Sequence, residues 1–251
     1  MTGPSDDSTA HGLLSQYVVE HDIGSMDDAT LRSIIRAHGG DVDSEPWPTI
    51  RFYNPNRPST FLPALDAAVN IRIDGDLGDY AFSYQRLGEC QLYGNAGIGV
   101  CDGMTGGAIR IRGDVGDGAG CVMRGGTLAV YGSAGDRVAA GMTGGELFVR
   151  GSVGEQCGYA ATGGTIVIGG SAGDHLGCPV GSTTIFIRGN VESLAPGMVE
   201  APLRKQNQLK LGMLLMAASI KGSSKDFRRI ISQRMLDNEK NERGEVNPSW
   251  R

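Results

Sequence analysis

Between Asn70 and Arg188 the chain alternates apolar and polar residues in seven short runs, each starting 19 residues after the one before. The runs are Asn70–Asp74, Glu89–Tyr93, Ala108–Arg112, Thr127–Tyr131, Glu146–Arg150, Thr165–Gly169 and Thr184–Arg188. Side chains on a strand alternate faces with period two. One aligned column reads Ile71, Cys90, Ile109, Leu128, Leu147, Ile166, Ile185; two residues on, the next reads Ile73, Leu92, Ile111, Val130, Val149, Ile168, Ile187. Both columns are apolar throughout and predict stacked interior ladders. The column between them reads Arg72, Gln91, Arg110, Ala129, Phe148, Val167, Phe186, a mixture that suits an outer face.

Each run ends in a corner of the form Gly-x-[Leu/Ala/Val]-Gly. The glycine pairs are Gly75 and Gly78, Gly94 and Gly97, Gly113 and Gly116, Gly132 and Gly135, Gly151 and Gly154, and Gly170 and Gly173. A seventh corner starts at Gly189, where Glu192 replaces the second glycine. The third corner residue alternates large and small, from Leu77, Ala96 and Val115 to Ala134, Val153, Ala172 and Val191, and is expected to point inward. Gly-Gly pairs precede four of the runs, at 106–107, 125–126, 144–145 and 163–164, and three of them follow Met104, Met123 and Met142 by two residues. One such rung cannot bury its apolar edge, but stacked rungs make a continuous core. Nineteen residues are too few for a helix and a crossover in every repeat. A leucine-rich repeat has a similar period, but its Leu and Asn signature is missing, and a propeller blade is about twice as long. The prediction is an all-β chain, a right-handed parallel β-helix forming a single solenoid of about seven 19-residue coils over residues 69–201. At about 4.8 Å per strand the column is roughly 30 Å long.

The flanks read differently. Residues 1–12 are small, polar and acidic and are expected to be disordered. Residues 13–68 form an N-terminal flank, with a capping box at Ser25–Asp28 leading into a helix over Ala29–His38. Leu31, Ile34 and Ile35 share a face of that helix, and Gly39 ends it. Pro48–Asn54 is expected to be extended. Residues 202–251 form a C-terminal helical extension: one helix over Leu203–Ile220 ended by Gly222, then a second, basic helix over Lys225–Leu236. The flanks are expected to cover the open ends of the column, where strand edges would otherwise be exposed.

Composition sharpens this. Glycine numbers 40 of 251 residues, more than twice the usual share of about 7%, which fits many corners. The formal net charge of -5 argues against a nucleic-acid partner or an anionic membrane surface. No apolar run approaches a membrane span and no secretion signal is read at the N-terminus, so a cytoplasmic location is expected. Cys90, Cys101, Cys121, Cys157 and Cys178 form no CxxC and no disulfide pattern, and read as small apolar residues in a reducing compartment.

Several motifs invite chemical readings. Gly116, Gly118 and Gly120 form GxGxG, but the following residues run into another corner instead of a helix, as a dinucleotide site requires. Gly169–Gly173 matches the GxSxG of esterases around Ser171, with Asp174 and His175 after it. That motif works on a strand-to-helix turn. Here Ser171 shares a repeat column with Asp76, Asn95, Asp114, Ser133, Ser152 and Asn190, a column of small polar residues suited to corners. Of His11, His21, His38 and His175, only His175 has a nearby partner for metal, Cys178. Arg112, Arg150 and Arg188 share one outer column, interrupted by Tyr131 and Gly169, and offer a face for an acidic partner or ligand.

The 19-residue corners, the Met-x-Gly-Gly elements and the stretch Ile185-Phe186-Ile187-Arg188-Gly189-Asn190-Val191-Glu192-Ser193-Leu194-Ala195 resemble the GXGXG family over roughly Val69 to Ala201. That β-helix ends the large subunit of bacterial glutamate synthase. It also stands alone as a subunit in N-methylglutamate synthase-type complexes, and as the β-helical subunit of formylmethanofuran dehydrogenase and of formyltransferase/hydrolase complexes. A helix followed by Asp226-Phe227-Arg228-Arg229 is similar to the stand-alone glutamate synthase-type subunits. The resemblance implies a non-catalytic scaffold with no catalytic, cofactor or metal residues of its own. A glutamine amidotransferase subunit and an FMN-dependent synthase subunit are the implied partners, with the FMN and an iron–sulfur cluster on the latter. The chain starts Met1-Thr2, without the cysteine after Met that serves as amidotransferase nucleophile, and it lacks the cysteine cluster of an iron–sulfur site. The formyl-transfer subunit is the alternative reading, and an esterase using Ser171 a third.

Overall fold

A computed structural model describes residues 18–43, 46–55, 59–218 and 222–243. The expected disorder of residues 1–12 lies outside this range. The seven runs become strands β3 (Asn70–Asp74), β4 (Glu89–Tyr93), β5 (Ala108–Ile111), β6 (Thr127–Val130), β7 (Glu146–Val149), β8 (Thr165–Ile168) and β9 (Thr184–Ile187), paired in parallel and in the 19-residue register. Both interior columns are buried in every coil. The corner column also faces inward, and parallel bridges join Leu77 to Ala96, Ala96 to Val115, Val115 to Ala134, Val153 to Ala172 and Ala172 to Val191. The result is a parallel β-solenoid with a filled core. Each fully buried Ile, Leu or Val in it contributes about 1.5–3 kcal/mol by leaving water.

Glycine serves two separate purposes. At a corner such as Gly113, a Cβ would lie 2.6 Å from the carbonyl oxygen of Gly94 in the coil before, so the corner needs close approach and not a special φ. Left-handed residues are gathered in the turn after the corner, in columns such as Tyr80, Gly99, Gly118, Arg137, Gln156 and His175, and Phe82, Cys101, Gly120 and Ala139. The GxGxG at residues 116–120 is one coil of these columns: Gly118 and Gly120 have φ of +68° and +66°. It opens no helix.

The sheet extends past the repeat on both sides. Strand β1 (Val18–Asp22) pairs in parallel with β2 (Thr49–Tyr53), and β2 pairs in parallel with β3. The N-terminal flank is therefore part of the solenoid. Helix α1 (Asp28–His38) lies between them; the Asp27 side chain accepts the Thr30 N–H, and Leu31 and Ile35 are buried in the main core. Helix α1 ends at Gly39 in an extended conformation, φ -63°, without the left-handed cap.

The C-terminal extension departs from expectation in two ways. Residues predicted as one basic helix, Lys225–Leu236, split into a 3-10 turn (Ser224–Asp226), strand β11 (Arg228–Ser232) and the start of α3 (Gln233–Glu242). Strand β10 (Met198–Ala201) is outermost, and β11 inserts antiparallel between β9 and β10. Ile230 and Ile231 are buried, and closing the sheet with these β-branched residues outweighs helix propensity. Helix α2 (Lys205–Ala217) covers a side of the column instead of its end. Leu211, Leu214, Leu215 and Ala218 pack on Ala129, Phe148, Val167 and Phe186. The middle strand column, assigned to an outer face, points outward, but its last four residues are buried under α2. No helix among the described residues is long and apolar enough to cross a membrane.

Candidate functional site

The small polar corner residues form a ladder along the column. Asp76 accepts the Asn95 N–H at 2.6 Å, Asn95 that of Asp114 at 2.8 Å, and Asp114 that of Ser133 at 2.7 Å. The hydroxyls of Ser133, Ser152 and Ser171 continue it at 3.2, 3.0 and 3.1 Å. Each side chain thus satisfies a backbone donor 19 residues on, in the next coil. Ser171 is a rung of this ladder: its oxygen accepts from Asn190 N–H. His175 is an exposed, left-handed turn residue whose backbone N–H donates to Ser193, whose hydroxyl donates to Asp174. No hydrogen bond joins the His175 ring to Ser171 among the described residues. The esterase geometry is not assembled.

The cysteines are equally uninvolved. Cys90, Cys101 and Cys157 are buried, and burial pushes their thiols up, to about 12 for Cys157. Among the described residues no group of three or more His, Cys, Asp or Glu is placed to hold a metal ion, and the His175–Cys178 pair gains no third ligand. His21 and His38, 17 residues apart in sequence, come within 6.3 Å ring to ring, with Phe52 beside His21. Sequence spacing gave no sign of this pair, since α1 folds back between them. A shallow cleft of about 320 Å³ lies between Tyr84, Arg86, Asp102, Thr105 and Arg124. Burial raises the Asp102 carboxyl, against the lowering effect of the Gly103 N–H.

The feature with the clearest organisation is the outer column holding Arg112, Arg150 and Arg188. In successive coils it reads Tyr93, Arg112, Tyr131, Arg150, Gly169, Arg188. The Arg112 guanidinium sits between two rings, 5.6 Å from Tyr93 and 4.5 Å from Tyr131. Arg150 lies 6.0 Å from Tyr131, and Arg188 lies 5.9 Å from the Phe227 ring while donating to Gly169 O. Tyr131, which interrupts the arginine column in sequence, contacts the arginine on either side of it, and Tyr93 and Phe227 contact Arg112 and Arg188 at the two ends. Tyr131 is itself fixed, nearly buried, by donating its hydroxyl to Ala218 O at 2.6 Å just past α2.

Neighbouring arginines on the same sheet are neutralised. Arg51 pairs with Glu20 and Asp74, Arg72 with Asp74, Arg110 with Glu89, and Arg228 with Glu200. Burial alone would raise the Asp74 carboxyl, but hydrogen bonds from Arg51 and Arg72 hold it below the ordinary range. Among the described residues no carboxylate lies within 4 Å of Arg112, Arg150 or Arg188. Beside this ladder, α2 turns Leu209, Met213 and Met216 to solvent, 69%, 65% and 80% exposed, although its opposite face is buried. The structure thus brings the three predicted arginines into one site and adds Tyr93, Tyr131, Phe227 and the outer face of α2, which the sequence reasoning missed. Compared with known proteins, the chain matches no family model, no curated protein and no solved structure.

Proposed function

We propose that this chain is a non-catalytic scaffold subunit of a glutamate synthase-like complex, bracing a glutamine amidotransferase subunit against an FMN-dependent synthase subunit. The single observation that carries the reading is the use made of the polar groups along the column. The GxSxG serine and its corner neighbours are engaged in holding the next coil, and the interior is filled by apolar ladders. A rod of this kind offers faces to partners. The resemblance of residues 69–201 to the GXGXG family supplies the identity of the complex. The FMN and iron–sulfur cluster belong on the synthase partner: a cluster needs thiolates gathered in one place, whereas three of the five cysteines here are buried in the core and no three metal-ligating side chains come together among the described residues.

The test is recovery of the tagged full chain from its native source, with identification of what comes with it. An amidotransferase and a flavoprotein in fixed ratio are expected. A chain recovered alone, or with a formyltransferase and a metal-dependent amidohydrolase, overturns the reading.

A further inference from the structure

We infer that the arginine–aromatic ladder and the outer stripe of α2 form one docking face for an acidic, amphipathic segment of a partner protein; this rests on the scaffold reading above. Three observations converge on it. First, the guanidinium groups of Arg112, Arg150 and Arg188 lie against aromatic rings with no carboxylate of the described residues within 4 Å, Arg188 donating only its Nε–H, to Gly169 O. They stand two coils apart, about 9–10 Å at the usual strand spacing, so they meet carboxylates placed at intervals along one segment and not a single small anion.

Second, this charge is local. The chain carries a net charge of -5, and the other outward arginines of the sheet are paired with carboxylates of the chain. An acidic partner is repelled elsewhere and attracted here, which sets orientation as well as encounter rate. The same overall charge works against a nucleic acid, whose phosphates would meet repulsion beyond these three residues.

Third, α2 is apolar on two faces. Leu211, Leu214 and Leu215 are buried on the sheet, while Leu209, Met213 and Met216 face outward. Exposed leucine and methionine on a helix whose other face is already buried form an apolar strip, here interspersed with Lys205, Gln206 and Lys210, and an apolar strip rimmed by polar and charged residues is the mark of an interaction site. The helix is tied to the ladder at its C-terminal end: Met216 stands two residues before Ala218, whose carbonyl holds the Tyr131 hydroxyl. The fitting segment therefore presents apolar side chains to α2 and glutamates or aspartates to the arginines.

The probe is a fluorescein-labelled amphipathic peptide with leucines on one face and glutamates on the other, titrated by anisotropy into the full chain. R112Q/R150Q is expected to weaken binding about tenfold or more, M213S/M216S to weaken it by a smaller factor, and Arg36→Gln on α1 to leave it unchanged. All variants change exposed side chains, and circular dichroism checks that the solenoid is intact. Equal binding by R112Q/R150Q overturns the proposal, as does equally tight binding of a single-stranded oligonucleotide. Carbodiimide coupling of the R112K/R150K variant to carboxylates within its own residues 1–17 also overturns it, because the face is then occupied by the chain itself. The two levels separate in recovery from the native source. Partners retained by R112Q/R150Q sink this face and leave the scaffold standing. No amidotransferase or flavoprotein with the wild type sinks the scaffold, and the peptide titration then still decides the face.

Discussion

Replacing Phe148 with Ala tests whether the outer strand column is truly covered. Phe148 is fully buried in the cluster formed by Ala129, Val167, Phe186 and the inner face of α2. Truncating such a side chain removes its transfer free energy and leaves a cavity, together about 3–5 kcal/mol. Were the column solvated, the same change would cost within about 0.5 kcal/mol. The loss falls on the docking of α2, because the two interior ladders lie on the opposite face of the strands. In a solenoid, stability is close to a sum of neighbouring terms, so the effect is local opening before global unfolding. At about 1.4 kcal/mol per factor of ten, amides of Leu211–Met216 are expected to exchange about a hundredfold faster or more, while β3 to β5 keep their protection. Phe148→Leu, which largely keeps the volume, is expected to cost less than about 1.5 kcal/mol. Native-state hydrogen exchange read by mass spectrometry makes the comparison. Unchanged exchange in α2 in the Ala variant would refute this packing.

Three further outcomes follow from other parts of the molecule. Ile111→Asp places an unpaired charge in the interior ladder and is expected to abolish the cooperative fold, seen by circular dichroism; soluble folded protein would mean the inward columns are wrongly phased. Glu239 accepts two hydrogen bonds from the nearly buried Arg229, one at 3.1 Å, and these hold its carboxyl below the ordinary range. Glu239→Gln is expected to cost about 1.5–3 kcal/mol at pH 7. Because the folded value is depressed, the stabilisation is present above the unfolded value of about 4.3 and is lost as pH falls through the folded one. Denaturant midpoints of wild type and variant should therefore converge in acid, and a gap that persists there would contradict the pair. Finally, Cys121 and Cys178 are partly exposed while Cys90, Cys101 and Cys157 are buried. An aromatic disulfide reagent should titrate two thiols in the native chain and five after denaturation.

The interior was legible because period-two alternation repeated in seven coils leaves one phase that buries every apolar column. What escaped the sequence lies where that frame breaks. Strands β1 and β2 pair with partners 31 and 21 residues on, so a search at 19 residues passes over them. Strand β11 carries Arg228 and Arg229 next to Ile230 and Ile231, a run too short to separate strand from helix by period. Its antiparallel place between β9 and β10 is set by the need to close the column. The change from Arg72, Gln91 and Arg110 to Ala129, Phe148, Val167 and Phe186 was visible in sequence. Only Leu211, Leu214 and Leu215 arriving from a distant segment explain it.

Stacking also decides where function can sit. A polar group at a corner faces a backbone donor of the following coil at hydrogen-bond distance. These bonds tie each coil to the next at an exposed corner, each worth about 0.5–1.5 kcal/mol, so a small polar residue in this column has a structural use whatever else the protein does. Motifs that recur with the coil are for this reason poor guides to chemistry, and departures from the repeat are better ones. Two departures coincide on one face: a column that alternates arginine with tyrosine, and a helix laid across the strands with apolar residues on both sides. Neither is required by the solenoid, since the first coils close their strand face with arginine–carboxylate pairs and no covering helix, Arg72 adding a contact to the Tyr93 ring at 4.1 Å. Both add exposed arginine, methionine and leucine to the surface of an acidic chain, a combination that raises the risk of unwanted association unless a specific partner covers it. That asymmetry between the two halves of the strand face is the strongest physical reason to look for the partner there.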